Sequence, residues 1–190
     1  MEEYIDLFNK VIDKTIPQVD YIDIRAGNGD ITSILMKDGV IQEINTGMSL
    51  SVRIRVLNNG AWGFAHTTDL SKLNEITQTA IKISNSLKGD EKLSEEEIIK
   101  DKIAVDVKIP FNEISIDEKK EIMKYASDSA NIDKVNSTTV SYGNSEVEEI
   151  FLNSEGSNIQ VKTSRVRMAL KCLCNKWRNH SIWTWESWRS

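Results

Sequence analysis

Cysteine, histidine and proline are scarce in this 190-residue sequence, and no apolar run is long enough to span a bilayer. Both cysteines, Cys172 and Cys174, lie in the last twenty residues, which excludes a disulfide framework for the rest of the chain. The amino terminus carries Glu2, Glu3 and Asp6 instead of the basic and apolar regions of a signal peptide. We therefore expect a cytoplasmic chain that does not enter a membrane.

Common catalytic and nucleotide-binding motifs are also missing. The sequence contains no His-Glu-x-x-His, Gly-x-Ser-x-Gly, Walker or dinucleotide-binding motif. Residues 171–190 hold four Lys or Arg and one Glu, which leaves 20 basic and 28 acidic residues in 1–170. The excess of acidic residues in 1–170 argues against binding to nucleic acid, which requires clustered basic side chains.

The hydrophobic pattern predicts an α+β fold in which antiparallel sheets are flanked by helices. A helix is expected over 3–14, followed by short strands with a turn at 27–30. The dipeptide Asp38-Gly39 predicts a hairpin, and the sequence at 58–60, Asn-Asn-Gly, predicts a second tight turn. The alternation across 50–56 places aliphatic side chains on one face of a strand and polar ones on the other.

Two further helices are expected. Thr68 or Asp69 caps the first. Its predicted apolar stripe consists of Leu70, Leu73, Ile76, Ala80, Ile83 and Leu87. Ser115 and Glu118 form a capping box for the second, whose inner face is predicted at Ile122, Ala126 and Ala130.

A weak internal repeat accompanies this pattern. An offset of 117 carries the first helix near the third and Gly39 onto Gly156, and the last strand changes register near Ser164, as a bulge would produce. This predicts two related helix-plus-hairpin units, 1–87 and 103–170, joined by a charged connector over 88–102. The alternative is that any two segments with a helix before strands look alike at this level.

Few side chains are candidates for chemistry, and each has a structural explanation that we prefer. His66 stands alone, without a nearby nucleophile. Arg53 and Arg55 suit a peptide carboxylate, although such a pair is more often the solvated face of a sheet. Trp62 lies among small residues and is interpreted as a core or subunit-interface anchor. The carboxylates of 95–97 are interpreted as a solvated charge run.

The segments 47–57 and 60–65, followed by Thr68-Asp69-Leu70-Ser71, resemble the amino-terminal region of the TldD/PmbA family. Lys37-Asp38-Gly39 before them, and 153–156 with Arg165 after them, extend the similarity over about 1–170, and it is greater to the TldD branch. The resemblance implies a cytoplasmic zinc metallopeptidase that acts on peptides or unfolded polypeptides inside a dimeric shell. The dimer would be formed with a second copy or a PmbA-like paralogue.

The family's zinc ligands, a His-Glu-x-x-x-His helix and a later Cys, lie carboxyl-terminal to the matched region. This chain contains none of them, so no catalytic, metal-binding or cofactor-binding residue is assigned. We expect a truncated amino-terminal portion that is inactive alone. The alternative is a non-catalytic peptide-binding or dimerisation module.

Residues 171–190 contain four of the five tryptophans, both cysteines and His180. Cys172-Leu173-Cys174 with His180 lacks a fourth metal ligand, and Trp183, Trp185 and Trp188 do not share one helical stripe. Tryptophan has the single codon TGG, which becomes a glycine codon when it is read one base later. Permitted codons from 171 onward, read in that frame, encode a strand, an Asn-Gly turn, a second strand and a glycine-rich segment. We therefore expect an aberrant tail produced by a frameshift near codon 171.

Overall fold

In a computed structural model, the structure describes the backbone of residues 1–176 and 179–189 and the side chains of residues 1–174. Its helices are α1 (Ile5–Thr15), α2 (Leu73–Ser86) and α3 (Ile116–Ala130). Its strands are β1 (Tyr21–Lys37), β2 (Val40–Asn58), β3 (Ala61–Thr67), β4 (Lys100–Ala104), β5 (Val135–Asn153), β6 (Asn158–Lys176) and β7 (Asn179–Arg189). The predicted α+β class is confirmed. None of the helices described is long and apolar enough to cross a membrane.

The strands form one sheet in the order β3-β2-β1-β5-β6-β4, and β7 also pairs with β6. Strand β3 is antiparallel to β2, with His66 opposite Arg53, and β7 is antiparallel to β6. Strand β4 is parallel to β6, with Lys100 opposite Asn158. The sheet is therefore mixed, because the short strand β4 departs from the antiparallel arrangement expected from sequence.

The tight turns agree with the sequence in two places and differ in a third. Asp38 and Gly39 have φ of 50° and 75°, and Asn59 and Gly60 have φ of 50° and 73°, as the two predicted hairpin turns require. The turn predicted at 27–30 is wrong, because β1 continues through it. Strand β1 lies between β2 and β5 and is hydrogen-bonded to both, which favours an extended conformation over a turn.

Helices α1 and α2 bury the amphipathic faces that the sequence indicates. Phe8, Val11 and Ile12 of α1 are buried, and Asp69 accepts a hydrogen bond from the backbone N–H of Ser71, 2.9 Å away, ahead of α2. The predicted stripe of α2 is right at Leu73, Ile76 and Ala80 and wrong at Ile83 and Leu87, which are exposed. Thr77, Ile81 and Ser84 complete the inner face instead, with the two hydroxyls bonded to carbonyls one turn back.

Helix α3 begins at the predicted capping box, in which the Ser115 hydroxyl accepts from the Glu118 N–H and the Glu118 carboxylate accepts from the Ser115 N–H. Its inner face is not the predicted one. Ile122 is 52% exposed, whereas Lys119, Met123 and Ser127 are buried. Lys119 is accommodated because its ammonium donates to the carbonyl of Phe111, 3.1 Å away.

The chain forms two compact units that interleave along the sequence. Unit 1 comprises 1–29, 49–104 and 147–162, and its core includes residues of α1, α2, β1, β2 and β5. Unit 2 comprises 30–48, 105–146 and 163–190, and its core contains Ile34, Met36, Met123 and Val140.

The order of the strands can be compared with the predicted repeat. The duplication itself stays a prediction. Shifting the bounds of β1 and β2 by 117 gives 138–154 and 157–175, which nearly coincide with β5 and β6. In the predicted connector, residues 88–99 are exposed and form neither helix nor strand, and residues 100–102 belong to β4. Side-chain burial along β6 changes phase at Ser164, where the bulge was expected.

Candidate functional site

The outward face of β1 and β2 in unit 1 carries an ion pair whose carboxylate is buried and whose guanidinium is partly exposed. Ile22 and Ile24 enter the core, so Asp23 between them points to the opposite face of β1, where it is only 2% exposed. The Nε–H of Arg55 donates to Asp23 Oδ2 at 2.8 Å, and Nη2 lies 2.7 Å from the same oxygen. Arg55 thus binds a carboxylate of its own chain, which corrects the interpretation of this residue as part of a solvated face.

Two aromatic rings enclose this ion pair. The Arg55 guanidinium lies 4.5 Å from the centroid of the Trp62 ring, and Tyr21 meets Trp62 edge to face with centroids 6.0 Å apart. Burial, with the adjacent Asp23 charge, raises the pKa of Tyr21. Burial disfavours the charge of Arg55, but the hydrogen bond and charge of Asp23 outweigh it, so the pKa of Arg55 is raised.

Gly63, one of the small residues beside Trp62, permits a close contact between α2 and β3 that was not predicted from the sequence. A Cβ on Gly63 would overlap the carbonyl oxygen of Ala80, so Gly63 allows the backbone of α2 to lie directly on β3. Trp62 itself is half-buried on the other face of β3, over Arg55. It is therefore a packing partner of the ion pair, and its proposed part in a subunit interface stays a prediction.

Next to the ion pair, Arg25 of β1 and Arg53 of β2 line a small pocket of about 190 Å³. The Arg25 guanidinium lies 4.9 Å from the centroid of the Phe151 ring. Both arginines are exposed, and neither forms an ion pair within the described part of the chain. Gly27 and the aliphatic residues Ile159 and Val161 also line the pocket, and Glu149 is its acidic residue.

Arg53 was a candidate from the sequence, whereas Asp23 and Arg25 were not. Their signal was present: both alternate with the apolar residues Ile22 and Ile24, and this pattern assigns them to the outward face of β1. Strand register, which brings β2 and β5 beside them, was not accessible from the pattern alone.

His66 lies within β3. It is exposed and stands opposite Arg53 in the ladder between β2 and β3. Its cross-strand neighbour is thus a cation, which neither orients an imidazole as a base nor supplies a nucleophile. Glu95, Glu96 and Glu97 are exposed in the segment between α2 and β4, where they form a solvated charge run.

In 171–174, the part of the tail whose side chains the structure describes, two residues are cysteines. Cys172 and Cys174 of β6 are unpaired and partly buried, and burial, with the neighbouring Cys174, raises the pKa of the Cys172 thiol. Among the described residues, no group of three or more His, Cys, Asp or Glu side chains could hold a metal ion. The side chain of His180 and the four tryptophan side chains of the tail lie outside the described residues.

Comparison with protein-family models identifies two consecutive domains in the chain. Residues 22–84 match PmbA/TldA metallopeptidase domain 1, and residues 109–184 match the PmbA/TldA metallopeptidase central domain. The interval between the matches contains the predicted connector at 88–102. The second match continues past residue 170, into the segment that we interpreted as frameshifted.

Two curated relatives are named metalloproteases. A metalloprotease of Methanothermobacter thermautotrophicus is 41% identical over 175 residues, which cover 92% of this chain and 38% of the relative. A metalloprotease of Methanocaldococcus jannaschii is 35% identical over 172 residues, which cover 87% of this chain and 38% of that protein. The chain therefore spans well under half the length of the curated relatives it matches.

Solved structures share the fold at low sequence identity. TldE from Thermococcus kodakarensis superposes with a TM-score of 0.73 at 17% identity, over 96% of this chain and 42% of TldE. A protein of Bacteroides thetaiotaomicron, described as a candidate modulator of DNA gyrase, gives a TM-score of 0.79 at 16% identity. That match covers 98% of this chain and 45% of the other. With two family domains matched over most of its length, the chain belongs to the PmbA/TldD metallopeptidase family, of which it contains the first and central domains.

Proposed function

We propose that this chain is the amino-terminal portion of a TldD-like zinc metallopeptidase that acts on peptides or unfolded polypeptides. The observation that carries the proposal is the pair of consecutive domain matches at 22–84 and 109–184. Two relatives named metalloprotease support it. The chain spans 38% of the length of each, as expected of a portion of such a protein.

In this proposal the zinc-binding half of the enzyme lies outside these 190 residues, and the chain alone does not hydrolyse peptides. The potential metal ligands of the described residues support the proposed lack of hydrolysis. The described residues contain no group of three potential metal ligands, and His66 faces Arg53 across the ladder without a carboxylate to orient it. The described residues therefore do not fit a catalytic zinc ion, which takes three protein ligands and keeps an open position.

The remaining parts of the proposal concern the complete protein. It would work in the cytoplasm, an assignment supported by the lack of cysteine before position 172. It would pair with a second copy or with a PmbA-like paralogue, as the family resemblance implies.

The test compares the purified 190-residue chain with the full-length metalloprotease of Methanothermobacter thermautotrophicus. Zinc content and cleavage of a fluorogenic unfolded polypeptide are measured for both proteins, with and without a chelator. We expect stoichiometric zinc and chelator-sensitive cleavage from the full-length relative only. Stoichiometric zinc together with chelator-sensitive cleavage by the 190-residue chain would overturn the proposal that zinc binding and hydrolysis require residues outside this chain. Saturable binding of the polypeptide by a folded, monodisperse chain would instead favour a stand-alone binding module.

A further inference from the structure

The pocket lined by Arg25 and Arg53 holds two cations against the single carboxylate of Glu149, so one positive charge has no counter-charge in the pocket. Their neighbour Arg55 is neutralised by Asp23, at 2.7 Å, whereas Arg25 and Arg53 form no ion pair in the described part of the chain. Two guanidinium groups that line one small cavity repel each other, and an anion placed between them would relieve that repulsion. This arrangement is unusual in a chain whose first 170 residues carry an excess of acidic groups.

The geometry of Arg25 prepares it for planar recognition. The central carbon of its guanidinium lies 4.9 Å from the centroid of the Phe151 ring, and this cation–π contact holds the side chain beside the pocket. A guanidinium binds a carboxylate through two parallel N–H···O bonds in its own plane, which gives this pairing both strength and direction. A carboxylate is thus the anion that suits this pocket.

The size and lining of the pocket restrict the rest of the ligand. A volume of about 190 Å³ is smaller than the roughly 300–1,000 Å³ of sites that enclose drug-sized molecules. Ile159 and Val161 add aliphatic surface, and the absence of a side chain at Gly27 leaves room beside them. Glu149 disfavours a second negative charge on the ligand.

We propose that this pocket binds a carboxylate borne on a short apolar body, such as the terminal residue of a peptide chain. The inference concerns unit 1 alone and does not rest on the proposed function, because binding here requires neither zinc nor hydrolysis. Arg25 and Arg53 form the bidentate contacts, and the aliphatic residues receive the side chain.

The experiment titrates the 15N-labelled 190-residue chain with N-acetyl-L-leucine and, separately, with N-acetyl-L-leucinamide, while the arginine Nε–H signals are followed by NMR. A fragment of this size is expected to bind with a Kd of about 1–10 mM. Arg25→Gln and Arg53→Gln are each expected to weaken the binding of the acid about 10-fold. The exposed Arg165, which does not line the pocket, provides the matched control: Arg165→Gln should leave the Kd unchanged.

A second variant tests shape without altering charge. A Cβ on Gly27 meets its nearest atom, Glu149 Cγ, at 3.6 Å, an ordinary contact, so Gly27→Val should fold and fill part of the pocket. We expect this variant to keep the thermal midpoint of the parent and to lose binding of the acid. Equal affinity for acid and amide would overturn the proposal. So would unchanged binding in the Arg53→Gln and Gly27→Val variants, or no saturation by the acid up to about 50 mM.

Discussion

Arg55 and Asp23 form an ion pair with one end in solvent and the other in the protein. The Arg55 side chain is 40% exposed, whereas that of Asp23 is 3% exposed. Loss of the guanidinium would therefore leave a buried carboxylate without its partner. Loss of the carboxylate would leave a cation that water can still reach.

This asymmetry predicts the effect of Arg55→Met, which removes the charge and keeps an apolar stem over Trp62. Breaking a fully buried pair costs about 3–5 kcal/mol, and the partial exposure of Arg55 lowers the expected loss to about 2–3 kcal/mol. Urea unfolding followed by circular dichroism measures the difference.

The control for that prediction is Arg53→Met, on the same strand and without an ion pair, which should change stability by no more than about 0.5 kcal/mol. The double variant Asp23→Asn with Arg55→Met should be more stable than Arg55→Met alone, because a neutral amide replaces the stranded carboxylate. Equal losses for the two single arginine variants would contradict the structural assignment.

Gly63→Ala is expected to destabilise the protein by about 3 kcal/mol, because the added methyl group would overlap the Ala80 carbonyl and push α2 away from β3. Thermal and urea unfolding both measure this loss. Gly47→Ala in β2 is the matched control, since no atom lies within 4 Å of the Cβ position there. A Gly63→Ala variant as stable as Gly47→Ala would mean that α2 does not approach β3 as closely as described.

The stability of unit 2 should decrease in acid partly through Asp38. Its carboxylate accepts from the Thr138 N–H at 2.7 Å and from the Ser137 hydroxyl at 3.2 Å, and these bonds hold its pKa below the usual value. Because the folded pKa is the lower one, the contribution is complete above about pH 4 and is lost as the pH falls through the folded pKa.

The variant that isolates this effect is Asp38→Asn, because asparagine tolerates the positive φ of the turn and its amide oxygen accepts hydrogen bonds at any pH. We expect its thermal midpoint to fall less steeply than that of the parent between about pH 4 and pH 2. Asp133→Asn, at an exposed aspartate without a hydrogen-bond partner in the described residues, should retain the parent's slope. Parallel profiles for all three proteins would show that Asp38 does not contribute.

The frameshift hypothesis predicts what the gene encodes in the next reading frame. Reading the gene one base later from codon 171 should encode a strand, an Asn-Gly turn and a glycine-rich segment, followed by the family's His-Glu-x-x-x-His. The structure already contains a returning strand, β7, opposite β6 in the present frame, and the central-domain match reaches residue 184. Resequencing across codon 171 decides the matter. An in-frame tryptophan-rich ending with no such sequence in the next frame would refute the hypothesis.

Local chemistry was sufficient for some features of the fold. The turns at Asp38-Gly39 and Asn59-Gly60, and the capping box of Ser115, follow from conformational preferences of a few adjacent residues, and these were predicted. The inner face of α3 was not. Hydropathy places Ile122 inside and Lys119 outside, but the structure reverses them, because the carbonyl of Phe111, in the segment that precedes α3, accepts a hydrogen bond from the lysine ammonium.

The candidate pocket shows the same limit of sequence reasoning. Arg53 was recognised as a potential carboxylate ligand, yet its partner in the pocket is Arg25 and not Arg55. Alternation along a strand identifies the face on which a side chain lies, whereas the pairing of strands decides which side chains meet. Asp23 of the adjacent strand β1 pairs with Arg55 and not with Arg53, so these two arginines of β2 differ in whether a carboxylate neutralises them.

The order of strands has a consequence for the integrity of the chain. Strand β1 lies beside β5, and the Ser154 N–H donates to the Ile22 carbonyl at 2.9 Å, so segments far apart in sequence hold each other in place. Residues 92–98 are exposed and free of secondary structure, which makes them the natural position for proteolytic nicking. A single cut there would leave two polypeptides in one noncovalent complex, and separately expressed fragments that end and begin in this segment have a shared sheet on which to reassemble.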